Sequence, residues 1–347
     1  MKERKMVEKK YFGKAFGKDI FEYTVTDGDI TLSAIKLGAT VSALFVPDRS
    51  GKAGDIAVGF SCAEDYEKLS DNQGATIGRY ANRIKNGTFK IDSKEYRIPC
   101  NDGNNTLHGN NEFRNVVWTL ENSGDNFLEF SYISPDGSNG FPGELKTKVK
   151  YTLSDNSLII DYDAVSDKKT PICLTNHLYF NLNADPSKTV YNHFLKINAD
   201  SFTPADSELI PTGEIVPVAG TSLDYREGKL IGQDILADEI VKGPGGVDHN
   251  FCLNGEEREF KEAAYLCEEE SGRVMSVFTD LPGLQIYTGN WLKPQKGKYG
   301  VNFVKHGAVC LETQFYPDSP NRPSFPNCFF EAGEHFVSRT VYKFSVK

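Results

Sequence analysis

Two titratable residues in this chain sit where their types and neighbours suit proton transfer. Glu312 closes the apolar run Val309-Cys310-Leu311. A carboxyl flanked by strand residues is partly desolvated. Desolvation disfavours its charged form and lifts its pKa toward neutrality, where a general base works. His177 lies in Thr175-Asn176-His177-Leu178-Tyr179-Phe180-Asn181-Leu182. Read at period two, His177, Tyr179 and Asn181 share one face, and Leu178, Phe180 and Leu182 the other. Such a strand has a core side and a working side. The plainer alternatives are a strand-end glutamate in water and a half-buried strand whose polar face meets solvent.

Three further segments carry reactive types. In Gly74-Ala75-Thr76-Ile77-Gly78-Arg79-Tyr80-Ala81-Asn82-Arg83-Ile84, small residues allow close backbone approach. Two arginines and Asn82 then supply a dense set of donors, unless the loop is simply solvated. Asn104-Asn105-Thr106-Leu107-His108-Gly109 is a turn-rich loop ending in a histidine. Gly243-Pro244-Gly245-Gly246-Val247-Asp248-His249-Asn250-Phe251 delivers Asp248 from a glycine-rich loop. That loop lacks the Gly-Lys-Ser/Thr ending of a P-loop and the spacing of a dinucleotide site. The six histidines (108, 177, 193, 249, 306, 335) show no H-x-x-x-H or H-E-x-x-H pattern, so no metal is expected. No G-x-S-x-G marks a serine hydrolase. Asp248 with Glu312 does meet the two-carboxylate requirement of a glycoside hydrolase, and local chemistry leaves that reading open.

The elements that must position these residues read as strands. Phe21 to Val25, Ile30 to Leu37, Thr40 to Val46, Phe127 to Ile133, Leu145 to Leu153 and Leu158 to Val165 are predicted strands. So are Val117 to Leu120, Phe194 to Ala199, Arg273 to Thr279, Gly283 to Thr288, Ala308 to Thr313 and Phe336 to Val346. Phe89 to Asp92 and Glu95 to Ile98 form a predicted hairpin about Ser93-Lys94. Helical patterns are few and short: Ala63 to Leu69 and Asp234 to Ile240. Strands do not alternate with long helices, which argues against a parallel α/β sheet. No linker divides the chain, so residues 1–347 read as one large antiparallel all-β sandwich domain. Long sandwich strands can present a concave polar face, and a sugar suits it: its hydroxyls need directed hydrogen bonds and its ring faces stack on aromatics.

Composition narrows the partners. The formal net charge is −9 over 347 residues, which disfavours nucleic acid and strongly anionic substrates. The charged N-terminus lacks a signal-peptide apolar region and no run is long enough to cross a bilayer, so a cytoplasmic protein without membrane contact is expected. Seven scattered cysteines without C-x-x-C read as buried thiols in a reducing compartment.

Taken together, Gly-Arg-Tyr-Ala-Asn-Arg-Ile (78–84), Asn-Thr-Leu-His-Gly (105–109), Thr-Asn-His-Leu-Tyr-Phe-Asn-Leu (175–182), Val-Asp-His-Asn-Phe (247–251) and Glu-Thr-Gln-Phe-Tyr-Pro-Asp-Ser-Pro-Asn (312–321) resemble the aldose 1-epimerase, or galactose mutarotase, family. Order and spacing match from about residue 10 to the C-terminus. The resemblance implies a galactose-mutarotase-type β-supersandwich that interconverts the α and β anomers of free hexoses, as a monomer or homodimer and without a cofactor. It implies His177 as general acid and Glu312 as general base, with Asn82, Arg83, His108, Asp248 and Gln285 binding the sugar. One departure is visible. Asn110-Asn111-Glu112-Phe113 follows His108-Gly109 where the family usually has more glycine, so that loop is expected to sit differently. The competing readings are a hexose-6-phosphate epimerase, which needs a basic cluster for the phosphate, and a sugar-binding module without turnover.

Overall fold

The computed structural model describes residues 7–347, and three large antiparallel sheets organise them. The widest has nine strands. At its centre lie Leu145–Ser154, Ser157–Ser166, His335–Val346 and Arg273–Thr279. Its patterning is cleanly two-fold. Leu145, Thr147, Val149, Tyr151 and Leu153 point inward while Lys146 and Lys148 point to solvent. Phe336, Thr340, Tyr342 and Phe344 do the same on the last strand. Each such apolar side chain gains roughly 1.5–3 kcal/mol on burial.

A six-stranded sheet packs on that inner face, in the order Tyr179–Phe180, Val309–Gln314, Gly283–Tyr287, Asp248–Cys252, Ser201–Thr203, Val216–Pro217. Leu311, Ile286 and Phe251 are buried with the nine-stranded core. The Tyr342 hydroxyl donates to the Leu311 carbonyl at 2.9 Å, and the Thr313 and Thr340 hydroxyls meet at 2.5 Å. A five-stranded meander from Glu8–Ala15 to Ala53–Asp55 adds its Leu32 and Leu44 to the same core. The expected antiparallel supersandwich is therefore present.

Several expectations are corrected. Residues 175–182 are not one strand. Thr175–Asn176 pairs with Thr76–Ile77, whereas Tyr179–Phe180 pairs with Val309–Gln314, and His177 and Leu178 bridge the two sheets. All eight residues are buried, so the polar side does not meet water. Asn181 turns to the carbonyls of Asp185, Lys188 and Gly307 and serves the fold. Asp234 to Ile240 is not a helix. The helix is Glu239–Lys242, because the Asp238 carboxylate accepts from the Ile240 and Val241 amides and caps it there. The 88–97 hairpin turns at Asp92-Ser93, one residue earlier than expected, since Ile91 pairs with Lys94. Glu8–Ala15 and Lys261–Glu268 are strands whose charged residues hid the alternation. Ala63–Leu69 is the helix expected.

Candidate active site

The face of the six-stranded sheet turned away from the core is polar, and its residues lie in cross-strand rows. Asn250, Gln285 and Glu312 stand side by side in one row. Asp248, Tyr287 and Cys310 make the next. Asp248 is the first residue of its strand, not part of the glycine-rich loop before it. Gln285 donates to Asp248 at 2.7 Å. Gln314, one row further, donates to Asn250 at 3.2 Å and to Gln285 at 3.4 Å. Cross-strand pairing thus converts three distant sequence segments into one rigid platform.

His177 reaches this platform from the strand crossing. Its Nε2 is 3.6 Å from Glu312 Oε1 and its Nδ1 is 3.5 Å from Cys310 Sγ. The ring stacks on Tyr179 at 5.0 Å and meets His108 edge-on at 5.2 Å. Glu312 is 2 % exposed, and its Oε2 has no partner among the described residues. Burial pushes the Glu312 carboxyl well above the usual range, the nearby Asp248 pushes it further, and Arg83 opposes both. Burial drives His177 down to about 3. Desolvation therefore favours the neutral form of each partner, while their closeness favours the ion pair. Both arrangements hold the same single proton.

The binding candidates arrive on two loops that lock together. Asn82 and His108 both adopt left-handed backbone, with φ of 62° and 53°. The Asn82 amide donates to His108 Nδ1 at 3.1 Å, and the His108 amide donates to the Asn82 carbonyl at 3.0 Å. Gly109 has to be glycine, because a Cβ would lie 2.4 Å from the Gly78 carbonyl oxygen. Arg83 Nε is held by Asp102 at 2.7 Å. Burial raises Asp248, with Arg83 and Gln285 pulling it back. Thr203, Leu209 and Pro211 from the 203–211 hairpin line the same cleft as Asn82, Arg83 and Asp248. A wider groove elsewhere, around Asn198, Arg226 and Tyr265, contains none of these groups, and its Arg226 is already paired with Asp224.

The aldose 1-epimerase family model matches residues 22–343. Galactose mutarotase of Bos taurus is 43% identical over 327 residues, 94% of each chain. Galactose mutarotase of Homo sapiens is 43% identical over 333 residues, 95% of each chain. The solved structure of a GalM/aldose epimerase homologue from C. elegans superposes with a TM-score of 0.85 at 31% identity, covering 94% of this chain and 98% of that one. The chain belongs to the aldose 1-epimerase family.

Every site residue that the family resemblance implied is in this region: His177 and Glu312 in contact, Asp248 and Gln285 beside them on the sheet, Asn82, Arg83 and His108 on the interlocked loops. Arg79, the other arginine of its motif, is elsewhere. It is fully buried and donates to Ser134 and to the carbonyls of Pro135, Pro142 and Gly143. The unusual loop is anchored rather than loose: Phe113 packs against Trp118 and Tyr132, and Glu112 accepts from the Tyr132 and Ser134 hydroxyls. Cys310 and Tyr287 went unnoticed in the sequence. Counting by two from Glu312 and Gln285 along their strands would have found both.

One cluster has no counterpart in the sequence spacing. The donor atoms of His108, His177 and Glu312 lie within 4.8 Å of one another. The donor chemistry does not fit an ion. The Asn82 amide already occupies the lone pair of His108 Nδ1, so His108 Nε2 carries the hydrogen and donates. Burial, helped by the neighbouring His177, Arg83 and Arg114, holds His108 well below its ordinary pKa and keeps it in this neutral form.

Proposed function

We propose that this isomerase interconverts the α and β anomers of free hexoses such as glucose and galactose, with Glu312 as general base and His177 as general acid. One observation carries the reading: a buried acid–base pair, His177 Nε2 and Glu312 Oε1, 3.6 Å apart. Opening a hemiacetal ring removes a proton from the C1 hydroxyl and delivers one to the ring oxygen. Glu312 takes the first and His177 Nε2 gives the second. The pair passes from imidazolium–carboxylate to imidazole–carboxylic acid without changing its total charge. Rotation about C1–C2 turns the other face of the aldehyde toward the C5 hydroxyl, and the return transfer closes the ring. Each positioned transfer is worth roughly 10²–10⁴ in rate.

Asn82, Arg83, His108, Asp248 and Gln285 are assigned to the remaining hydroxyls. Asp248 accepts, Arg83 and His108 donate, and Gln285 fixes Asp248. Such fixed groups hold the sugar while C1 stays able to turn. Among the described residues lining the cleft, Arg83 is the one arginine or lysine, and it is already paired with Asp102. That favours an unphosphorylated hexose over a hexose 6-phosphate. We further read the chain as one domain working in the cytoplasm, as monomer or homodimer. All seven cysteines are unpaired, which suits a reducing compartment, and no described helix is long and apolar enough to cross a membrane.

The test is anomer exchange by NMR over a panel of free aldoses, each with and without a 6-phosphate. Accelerated exchange of glucose and galactose supports the assignment. Exchange confined to phosphorylated sugars, binding without exchange, or release of reducing sugar from a glycoside would each overturn it.

A further inference from the structure

We infer that Cys310 is the positioning partner of His177: its sulfur accepts the Nδ1–H of the imidazole, so that Nε2 alone gains and loses the proton. The inference rests on the acid–base role proposed for His177 and adds a residue to it.

Three observations converge on this contact. Cys310 Sγ lies 3.5 Å from His177 Nδ1 and is the one side chain bonded to that nitrogen among the described residues, beside a backbone hydrogen bond within His177 itself. Cys310 sits two residues before Glu312 on one strand, so both side chains leave the sheet on the same face. One strand thereby presents a partner to each ring nitrogen: sulfur to Nδ1, carboxyl to Nε2. The ring plane is fixed independently by Tyr179 beneath it and His108 at its edge.

Proton balance sets the direction of the bond. As an imidazolium, His177 carries hydrogen on both nitrogens. After Nε2 delivers its proton to the ring oxygen, Nδ1 keeps its own. In the return step the bare Nε2 accepts a proton from the C5 hydroxyl. Nδ1–H is thus present throughout and needs an acceptor throughout. If the thiol donated to Nδ1 instead, neutral His177 would carry hydrogen on Nε2 and have no lone pair for the return step.

Sulfur also suits the strength required. A carboxylate at Nδ1 would stabilise the imidazolium and weaken it as an acid, whereas a thiol is a weak acceptor with no charge. Burial keeps the Cys310 thiol protonated, and the neighbouring Glu312 and Asp248 act in the same direction. His108 gives the contrast 5.2 Å away. Its Nδ1 accepts from a backbone amide, so it holds the opposite tautomer and serves only to donate.

The experiment is 15N NMR of protein labelled in histidine, at neutral pH and without sugar, with the His177 resonances assigned by their loss in His177→Asn. The expected spectrum shows hydrogen on His177 Nδ1 throughout, with Nε2 bare in the imidazole–carboxylic acid form of the pair and protonated in the ion-pair form, and His108 with bare Nδ1. Cys310→Val is expected to erase the tautomer bias and lower kcat about tenfold with the KM for galactose unchanged. Cys310→Ser, whose hydroxyl can accept the same bond, is expected to restore both. A wild-type His177 protonated at Nε2 with bare Nδ1 overturns the inference. So does a Cys310→Val protein that keeps the Nδ1–H tautomer and full kcat. If the valine variant does not fold, the wild-type spectrum still decides. Full activity in His177→Asn would instead remove the role of His177, leaving the tautomer measurement intact as a separate result.

Discussion

The two sides of the cleft are built on different terms. On the binding side nearly every polar group is tied down: Arg83 to Asp102, Asp248 to Gln285, Asn82 and His108 to each other. The loop after Glu312 adds a further brace. The Asp318 amide donates to the Arg83 carbonyl at 2.8 Å, its carboxylate accepts from the Lys85 amide and from Arg322, and Arg322 holds the Pro211 carbonyl of the 203–211 hairpin at 2.6 Å. On the reacting side the opposite holds. Glu312 Oε2 is buried without a partner among the described residues, and His177 Nε2 faces a carboxyl beyond hydrogen-bond length. Groups that must hold still are over-determined, and groups that must exchange protons keep open valences that a sugar can fill. An orphaned buried oxygen costs about 1–3 kcal/mol, so this side is less stable than it could be.

The strongest way to break that contrast is to disable the reacting side. Glu312→Gln and His177→Asn should each lower the decay rate of optical rotation of fresh α-D-glucose by roughly 10²–10⁴, with little loss of thermal stability. Near-normal activity in either variant would show that the open valences are incidental. Substitution on the binding side should read differently. Arg83→Lys and Asp248→Asn should raise KM for galactose more than they lower kcat, with kcat/KM down roughly 10- to 100-fold, the range for one charged hydrogen bond. A pure kcat effect would move these residues to the other side of the comparison.

A third measurement sharpens the contrast through stability. His108, His177, His193 and His249 are all held below the ordinary histidine value of 6.5, with burial the largest cause in each. Because their folded pKa is depressed, their contribution is fully present above pH 6.5 and is lost as pH falls. His193 and His249 act down to about 4, and His177 down to about 3. Each should remove about 1.4 kcal/mol of stability per pH unit below 6.5. Glu312 and Asp248 have the opposite sign: their raised pKa values favour the fold at low pH and are lost as pH rises. Urea unfolding at pH 7, 6 and 5 should show the net decline, and His193→Gln should reduce its slope by about one proton. An unchanged slope would mean that this histidine is not held neutral. The smallest effect should come from Asp102→Asn. That pair is partly exposed, so the expected loss is only a few-fold in kcat/KM.

The parts of the sequence that read correctly were those with a strong local period. Leu145–Ser154 and Arg273–Thr279 matched their predicted ranges closely because every second residue is buried and most of those are apolar. Lys261–Glu268 escaped because its polar residues interrupt the pattern, and partner strands on both sides supply what the pattern lacks. The 175–182 segment misled for a related reason. It alternates like a strand, but two different sheets claim its ends. Asp238 likewise overrode a plausible helix by capping it so that it starts five residues late.

What the sequence determined by itself was chemical type: a glutamate closing an apolar run, a histidine in a polar–apolar alternation, and enough matching motifs to name the family. Those are local facts, and residue order carries them. The tertiary structure decided which groups meet. Glu312 and Gln285 face each other through cross-strand pairing, and His177 reaches Glu312 because its chain segment leaves one sheet and enters another. Burial, which lifts Glu312 and depresses His177, depends on atoms hundreds of residues away. The same holds for the tautomers of His108 and His177, set by an amide 26 residues away and a sulfur 133 residues away. Hydrogen bonding and desolvation act through space at a few ångströms, so no reading of residue order could assign them.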